Sequence, residues 1–206
     1  MPQKILRFST LAVAAASLGL AVAIAGCSQP PPAPAVTVAA APDLSPEHGK
    51  YLVDTHGCHD CHTPWHMGPK GPEPDMSRML SGHPADLKIT APPPMPKDGP
   101  WMMVAAATQT AWAGPWGVSF TMNLTPDQNT GIGIWTEKMF MDALRTGKHM
   151  GTSTSRDILP PMPWPSYGKM TDDELKAIFA YLKSIPPIVN RIPEPIPPAG
   201  APPKKG

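Results

Sequence analysis

Two thiols and an imidazole stand within five residues, Cys58-His59-Asp60-Cys61-His62. Cysteines three apart fall on one helical turn, close enough to be joined to a single planar ring. A histidine placed immediately after them then lies under that ring. This spacing attaches a c-type haem. Its two vinyl groups form thioethers with the sulfurs, and the imidazole offers a nitrogen to the iron. The expected cofactor is one covalently bound haem c, with Cys58 and Cys61 holding the macrocycle and His62 its iron. Two other chemistries use the same residue types. A zinc centre needs a second set of ligands, and a chain with 3 cysteines has no second Cys pair to offer. A thiol-exchange pair leaves His62 without a role and expects a strand running into a helix.

A six-coordinate iron needs one more ligand. Met162 lies in Leu159-Pro160-Pro161-Met162-Pro163-Trp164, where flanking prolines restrict the backbone and hold a thioether in place at low entropic cost. Met95, in Pro92-Pro93-Pro94-Met95-Pro96, has similar surroundings, and Met150 and Met122 are further rivals. His149 or His83 would instead give two imidazoles. Met162 is the expected ligand, partly because it comes just before the best-marked helix of the chain. Thioether ligation suits electron transfer and raises the potential relative to a second histidine.

Those residues must be positioned by helices. Ser45-Pro46-Glu47 carries an N-cap, a proline suited to the first turn and an acid for the positive dipole end. A first helix therefore starts there, with Gly57 releasing the chain into the Cys58 turn. Thr136 caps a helix over 137–146 that Gly147 stops, with Met139, Phe140, Ala143 and Leu144 as its buried stripe. Thr171-Asp172-Asp173-Glu174 is a capping box, followed by Leu175, Ile178, Phe179 and Leu182 at helical spacing and stopped by Pro186-Pro187. Residues 63–122 show little periodicity but hold Trp101, Met102, Met103, Trp112 and Trp116. This long insert is expected to wrap over haem and core. The fold class expected is all-α: a few helices around one covalently bound haem, joined by long Pro-rich loops. So thin a core is marginal without its cofactor, so the apo-protein should be largely unfolded.

The haem motif, Asn123–Trp135, Arg145-Thr146-Gly147, Met162-Pro163-Trp164 and Thr171–Pro187 together resemble a cytochrome c family domain over about residues 45–190. The likeness is to the cytochrome c domains of membrane-associated alcohol and sugar-acid dehydrogenase complexes. The resemblance implies thioethers at Cys58 and Cys61 and axial ligation by His62 and Met162. It also implies packing of the first helix on the last, with Gly49 at the contact and Phe179 or Tyr181 opposite. Dehydrogenase-associated subunits usually carry several haem motifs, whereas this chain carries one, and its 63–122 insert exceeds what a minimal domain needs.

The remainder of the chain bears on location. Lys4 and Arg7 precede an apolar run from Leu11 to Gly26, so residues 1–26 read as a lipoprotein-type signal peptide. Ile24-Ala25-Gly26-Cys27 resembles a lipobox, with Cys27 the lipidated residue; cleavage after Ala25 is the alternative. Residues 27–44 form a Pro/Ala-rich tether and 191–206 a Pro-rich extended tail. The chain is therefore expected to be exported and anchored by its N-terminal lipid on the periplasmic side of a bacterial membrane. Without Lys4 and Arg7, 15 Lys and Arg face 16 Asp and Glu, from totals of 17 and 16. With no basic run to follow phosphates, nucleic acid is not an expected partner. The function expected is one-electron transfer between redox proteins, a dehydrogenase or respiratory complex among them, with no substrate chemistry of its own. The alternatives are a peroxidase-like haem enzyme, or a haem sensor with a labile sixth ligand.

Overall fold

The computed structural model describes residues 41–94, 98–198 and 200. The expected leader, Cys27, most of the tether, Met95 and the end of the tail lie outside them. Helix α1 (Pro46–Thr55) begins where the Ser45 hydroxyl accepts the His48 N–H at 3.2 Å, with Pro46 in the first turn. Helix α2 (Cys58–His62) is the haem-motif turn itself. Helix α3 (Glu137–Thr146) is capped by Thr136 and ends at Gly147. A short α4 (Trp164–Tyr167) follows Met162. In α5 (Asp172–Ser184) the Thr171 hydroxyl accepts the Glu174 N–H while the Glu174 carboxylate accepts that of Thr171, satisfying two end donors reciprocally.

The apolar faces of α1, α3 and α5 meet in one core, where Val53 and Leu175 are fully buried and Phe140 tilts against Phe179 at 5.5 Å between ring centroids. Helices α1 and α5 approach so closely that a Cβ built on Gly49 would lie 1.9 Å from the Ala177 carbonyl oxygen and 2.9 Å from the Tyr181 Cβ. Tyr181, rather than Phe179, is thus the residue opposite Gly49. At an exposed helical site Gly→Ala gains about 1 kcal/mol of propensity. Here overlap with backbone forces the helices apart, an overpacking cost of about 1–3 kcal/mol. Gly49→Ala is expected to lower the urea midpoint, corresponding to a net loss of up to about 2 kcal/mol.

Sheet structure corrects the expected fold class. Among the described residues five helices are accompanied by two antiparallel sheets, so the fold is mixed α/β, not all-α. One sheet pairs β1 (Trp65–Gly68) with β2 (Gly71–Pro74); the other orders β3 (Val104–Ala105), β4 (Ala111–Gly114) and β5 (Gly117–Phe120). Every strand falls inside the aperiodic 63–122 stretch. The cause is local. Gly68-Pro69-Lys70-Gly71 and Gly114-Pro115-Trp116-Gly117 each place a Pro-X pair between glycines, and each hairpin register closes on its two glycines. Gly71 and Gly117 take φ of +126° and +94°, a region closed to most side chains. A two-residue loop then reverses the strand directly.

Amides and backbone bind the insert to the chain's end. Asn190 donates to the Ser81 and His83 carbonyls at 2.7 and 2.9 Å and accepts from the Ala85 N–H at 3.0 Å. Ile196 exchanges backbone hydrogen bonds with Val118 at 2.7 and 2.9 Å, adding a bridge to the free edge of β5. Trp112 reaches the interior from the insert as expected, but Trp101 and Met102 do not, being 72% and 68% exposed. Among the described residues no helix is long and apolar enough to cross a membrane.

Candidate functional site

Helix α2, helix α3, strand β5 and the loop 156–163 enclose an apolar cavity with about 1330 Å³ of space free of protein atoms, its open mouth included. Cys58, Cys61 and His62 all line it. Phe140, Leu144, Ile132 and Trp135 supply hydrocarbon and aromatic wall. Such a lining excludes water and lowers the local dielectric around anything held within it.

His62 is the most tightly defined polar group. It is buried, and its Nδ1–H donates to the Met122 carbonyl oxygen at 2.8 Å. A carbonyl only accepts, so the proton sits on Nδ1 and Nε2 keeps its lone pair. Among the described residues Nε2 has no hydrogen-bond partner. Burial lowers the imidazole pKa, with the Met122 bond opposing it, so the ring stays neutral and able to ligate. The His62 carbonyl accepts from the Gly82 N–H at 2.8 Å. Two points of the insert, residues 82 and 122, therefore fix the ring and its backbone.

The two thiols are unlike an exchange pair. Burial, more than any neighbouring charge, pushes the Cys58 thiol up to about 12, and it raises Cys61 as well. Exchange cysteines need the opposite, a thiolate stabilised near neutral pH. Zinc finds no better support, since no three His, Cys, Asp or Glu side chains converge among the described residues.

Met162 lines the same cavity and is half-buried. Its flanks are anchored. The Tyr167 hydroxyl on α4 donates to the His56 carbonyl at 2.6 Å, tying the segment after Met162 to the turn before Cys58. Of the rivals, His83 is fully buried with both ring nitrogens engaged, Nδ1 with Thr110 Oγ1 and Nε2 with the Leu87 carbonyl, each at 3.0 Å. Neither His83 nor Met150 lines the cavity. His149 and Met122 do, as does Met170, which nothing in its sequence surroundings marks as a candidate. Met122 already gives its carbonyl to His62, which puts its backbone on the imidazole's own flank.

No family model matches the chain. It is 39% identical over 69 residues to the gluconate 2-dehydrogenase cytochrome c subunit of Pantoea cypripedii, covering 34% of this chain and 15% of that protein. It is 32% identical over 83 residues to the alcohol dehydrogenase (quinone) cytochrome c subunit of Gluconobacter oxydans, covering 39% of this chain and 17% of the relative. The matched stretches are similar to cytochrome c subunits of dehydrogenases. A third relative, the fructose dehydrogenase cytochrome subunit of Gluconobacter japonicus, is 33% identical over 72 residues, covering 35% of this chain and 14% of its own length. The chain thus spans less than a fifth of any of these three relatives.

A cytochrome c domain takes haem, and the cavity's donors fit that group. The walls are apolar, and a neutral imidazole presents a free nitrogen beside two un-ionised thiols. Haem also carries two carboxylates. Trp112 Nε1 is buried on this wall without a hydrogen-bond partner among the described residues, and Arg156 stands exposed on the cavity lining. Both are donors of the kind a carboxylate needs. Sequence reasoning placed Trp112 over haem and core but did not mark its indole N–H as a donor, and it missed Arg156 and the Met122 carbonyl. No local motif marks them, because hairpin geometry brings Trp112 to the cavity.

Proposed function

We propose that the protein is a single-haem c-type cytochrome carrying one electron at a time between redox partner proteins. Thioethers at Cys58 and Cys61 hold the haem, and His62 and Met162 ligate its iron. His62 carries this reading: a buried neutral imidazole, proton on Nδ1 and Nε2 free, on an apolar wall that also bears both cysteines and Met162. Bound haem supplies a one-electron iron couple. The chain's own part is to bind, orient and exclude water. The Met122 carbonyl makes His62 a stronger donor and holds its plane, as orienting partners of metal-bound histidines do. The walls of α3 and α5 keep the dielectric low, so that the potential responds to ligand type and neighbouring charge. Trp112 and Arg156 take the carboxylates.

The relatives are named as subunits of gluconate, alcohol and fructose dehydrogenases. That supports a dehydrogenase as the electron donor; a respiratory complex is the other partner in view. The same proposal takes residues 1–26 as an export signal and Cys27 as a lipid anchor at the periplasmic side of a membrane. Growth with a clickable fatty acid is expected to label the mature protein, and an unlabelled product would remove the anchor.

Optical redox titration of the detergent-solubilised protein tests the central reading. One haem per chain, a pyridine adduct of the doubly saturated-vinyl type, low-spin spectra and a one-electron slope are expected. A high-spin, five-coordinate iron would overturn the carrier assignment. One observation favours a second reading, a haem catalyst: His149 and Arg156 line the cavity that holds Met162, and would supply a base and a cation if the thioether left. Carbon monoxide binding by the reduced protein at neutral pH would support that reading. A spectrum indifferent to the gas supports the carrier.

A further inference from the structure

Leu159–Pro163 contains three prolines, which have no N–H to donate. The segment therefore cannot be secured through its own donors, apart from the N–H groups of Leu159 and Met162. Neither of these finds a protein acceptor among the described residues. Besides the packing of Met162 on the core, it is held from outside by one hydroxyl. Ser119 Oγ on β5 donates to the Pro160 carbonyl at 2.5 Å, and among the described residues this is the only hydrogen bond reaching 159–162. The competing acceptor, the Trp112 carbonyl, is farther away at 3.4 Å. Trp116 Nε1 donates to Ser119 Oγ at 3.3 Å, filling a lone pair and favouring donation onward to Pro160. Ser119 is 6% exposed, so water does not compete well for either bond.

We infer that Ser119 is the positioning residue of the Met162 segment, and that the three-stranded sheet of the insert acts as a clamp on the distal side of the site. This rests on Met162 being the iron ligand. The same insert already holds His62 through Gly82 and Met122, so it contacts both residues that would ligate the iron. Without the Ser119 bond the segment detaches more often. An external ligand that binds only the detached form then gains apparent affinity in proportion to that population.

Imidazole binding to the oxidised holoprotein is the test, followed optically. Ser119→Ala is expected to tighten apparent imidazole affinity about three- to tenfold, the range of a single net hydrogen bond. Ser119→Thr keeps the hydroxyl and is expected to stay within about twofold of wild type. Ser119→Val, of the same shape as Thr without the hydroxyl, should match the Ala variant, so the Thr/Val pair decides the matter even if Ser119→Ala folds poorly. A change in melting temperature with no change in imidazole affinity, or equal behaviour of Thr and Val, would overturn the clamp. Met162→Ala, run in parallel, separates the two claims. Survival of the far-red sulfur-to-iron band in that variant would reject the ligand assignment itself.

Discussion

Replacing both Cys58 and Cys61 by alanine is expected to yield a chain from which acidified organic solvent strips all pigment, whereas the wild-type protein retains all of it. The double variant should also lose most of its helical circular dichroism once the haem is removed. Both effects follow from the cavity. It is bounded by α2, α3, α5 and β5, so part of the apolar surface of each faces the cavity rather than another element. An emptied apolar cavity costs about 24 cal/mol per Å³. The volume to count on that scale is about 180 Å³, which corresponds to about 4 kcal/mol. A whole domain is stable by about 5–15 kcal/mol. On the proposed attachment cofactor and fold are therefore linked, and two thioethers would make that link permanent. A haem-free chain with a native-like spectrum would refute the argument, as would pigment that resists extraction from the double variant.

Met162→Ala is expected to abolish the far-red band, lower the reduction potential and open the iron to added ligands. The potential falls because a thioether favours the reduced iron more than water or a nitrogen ligand in its place. For ligand binding the size can be bounded. A protein's minor conformers are commonly populated at about 0.1–10%. If the detached form lies near 1%, removing the competing sulfur raises apparent imidazole affinity about 100-fold. That is well beyond the change expected at Ser119, as it must be if Ser119 acts through Met162. His149 gives the opposing outcome a structural basis, since it also lines the cavity. A Met162→Ala protein with an unchanged low-spin spectrum would point to His149, and His149→Ala would then carry the large effect.

The helices of this protein were legible because their ends are written in neighbouring residues. Ser45, Thr136 and the Thr171/Glu174 pair cap as expected, since capping involves partners three positions apart and needs nothing from the rest of the fold. The strands were not anticipated. Four-residue strands rich in Gly, Pro and Ala carry too little alternation to register. Their signal was the repeated Gly-Pro-X-Gly, which is a turn signal before it is a strand signal. The same limit applied to Trp101, whose size suggested burial and whose loop leaves it exposed.

From its residues alone the chain announced the kind of chemistry: two sulfurs and an imidazole at a spacing that one helical turn imposes, whatever surrounds it. The likeness to cytochrome c subunits of dehydrogenases is consistent with that reading. Which groups stand behind and around that turn depended on contacts between residues far apart in sequence. Met122 lies 60 positions from the ring it orients, and Pro160 lies 41 from the hydroxyl that holds it. Such pairings arise only when hairpins close and helices dock. Local spacing could suggest which donor types stand together, and long-range packing alone could set where they point.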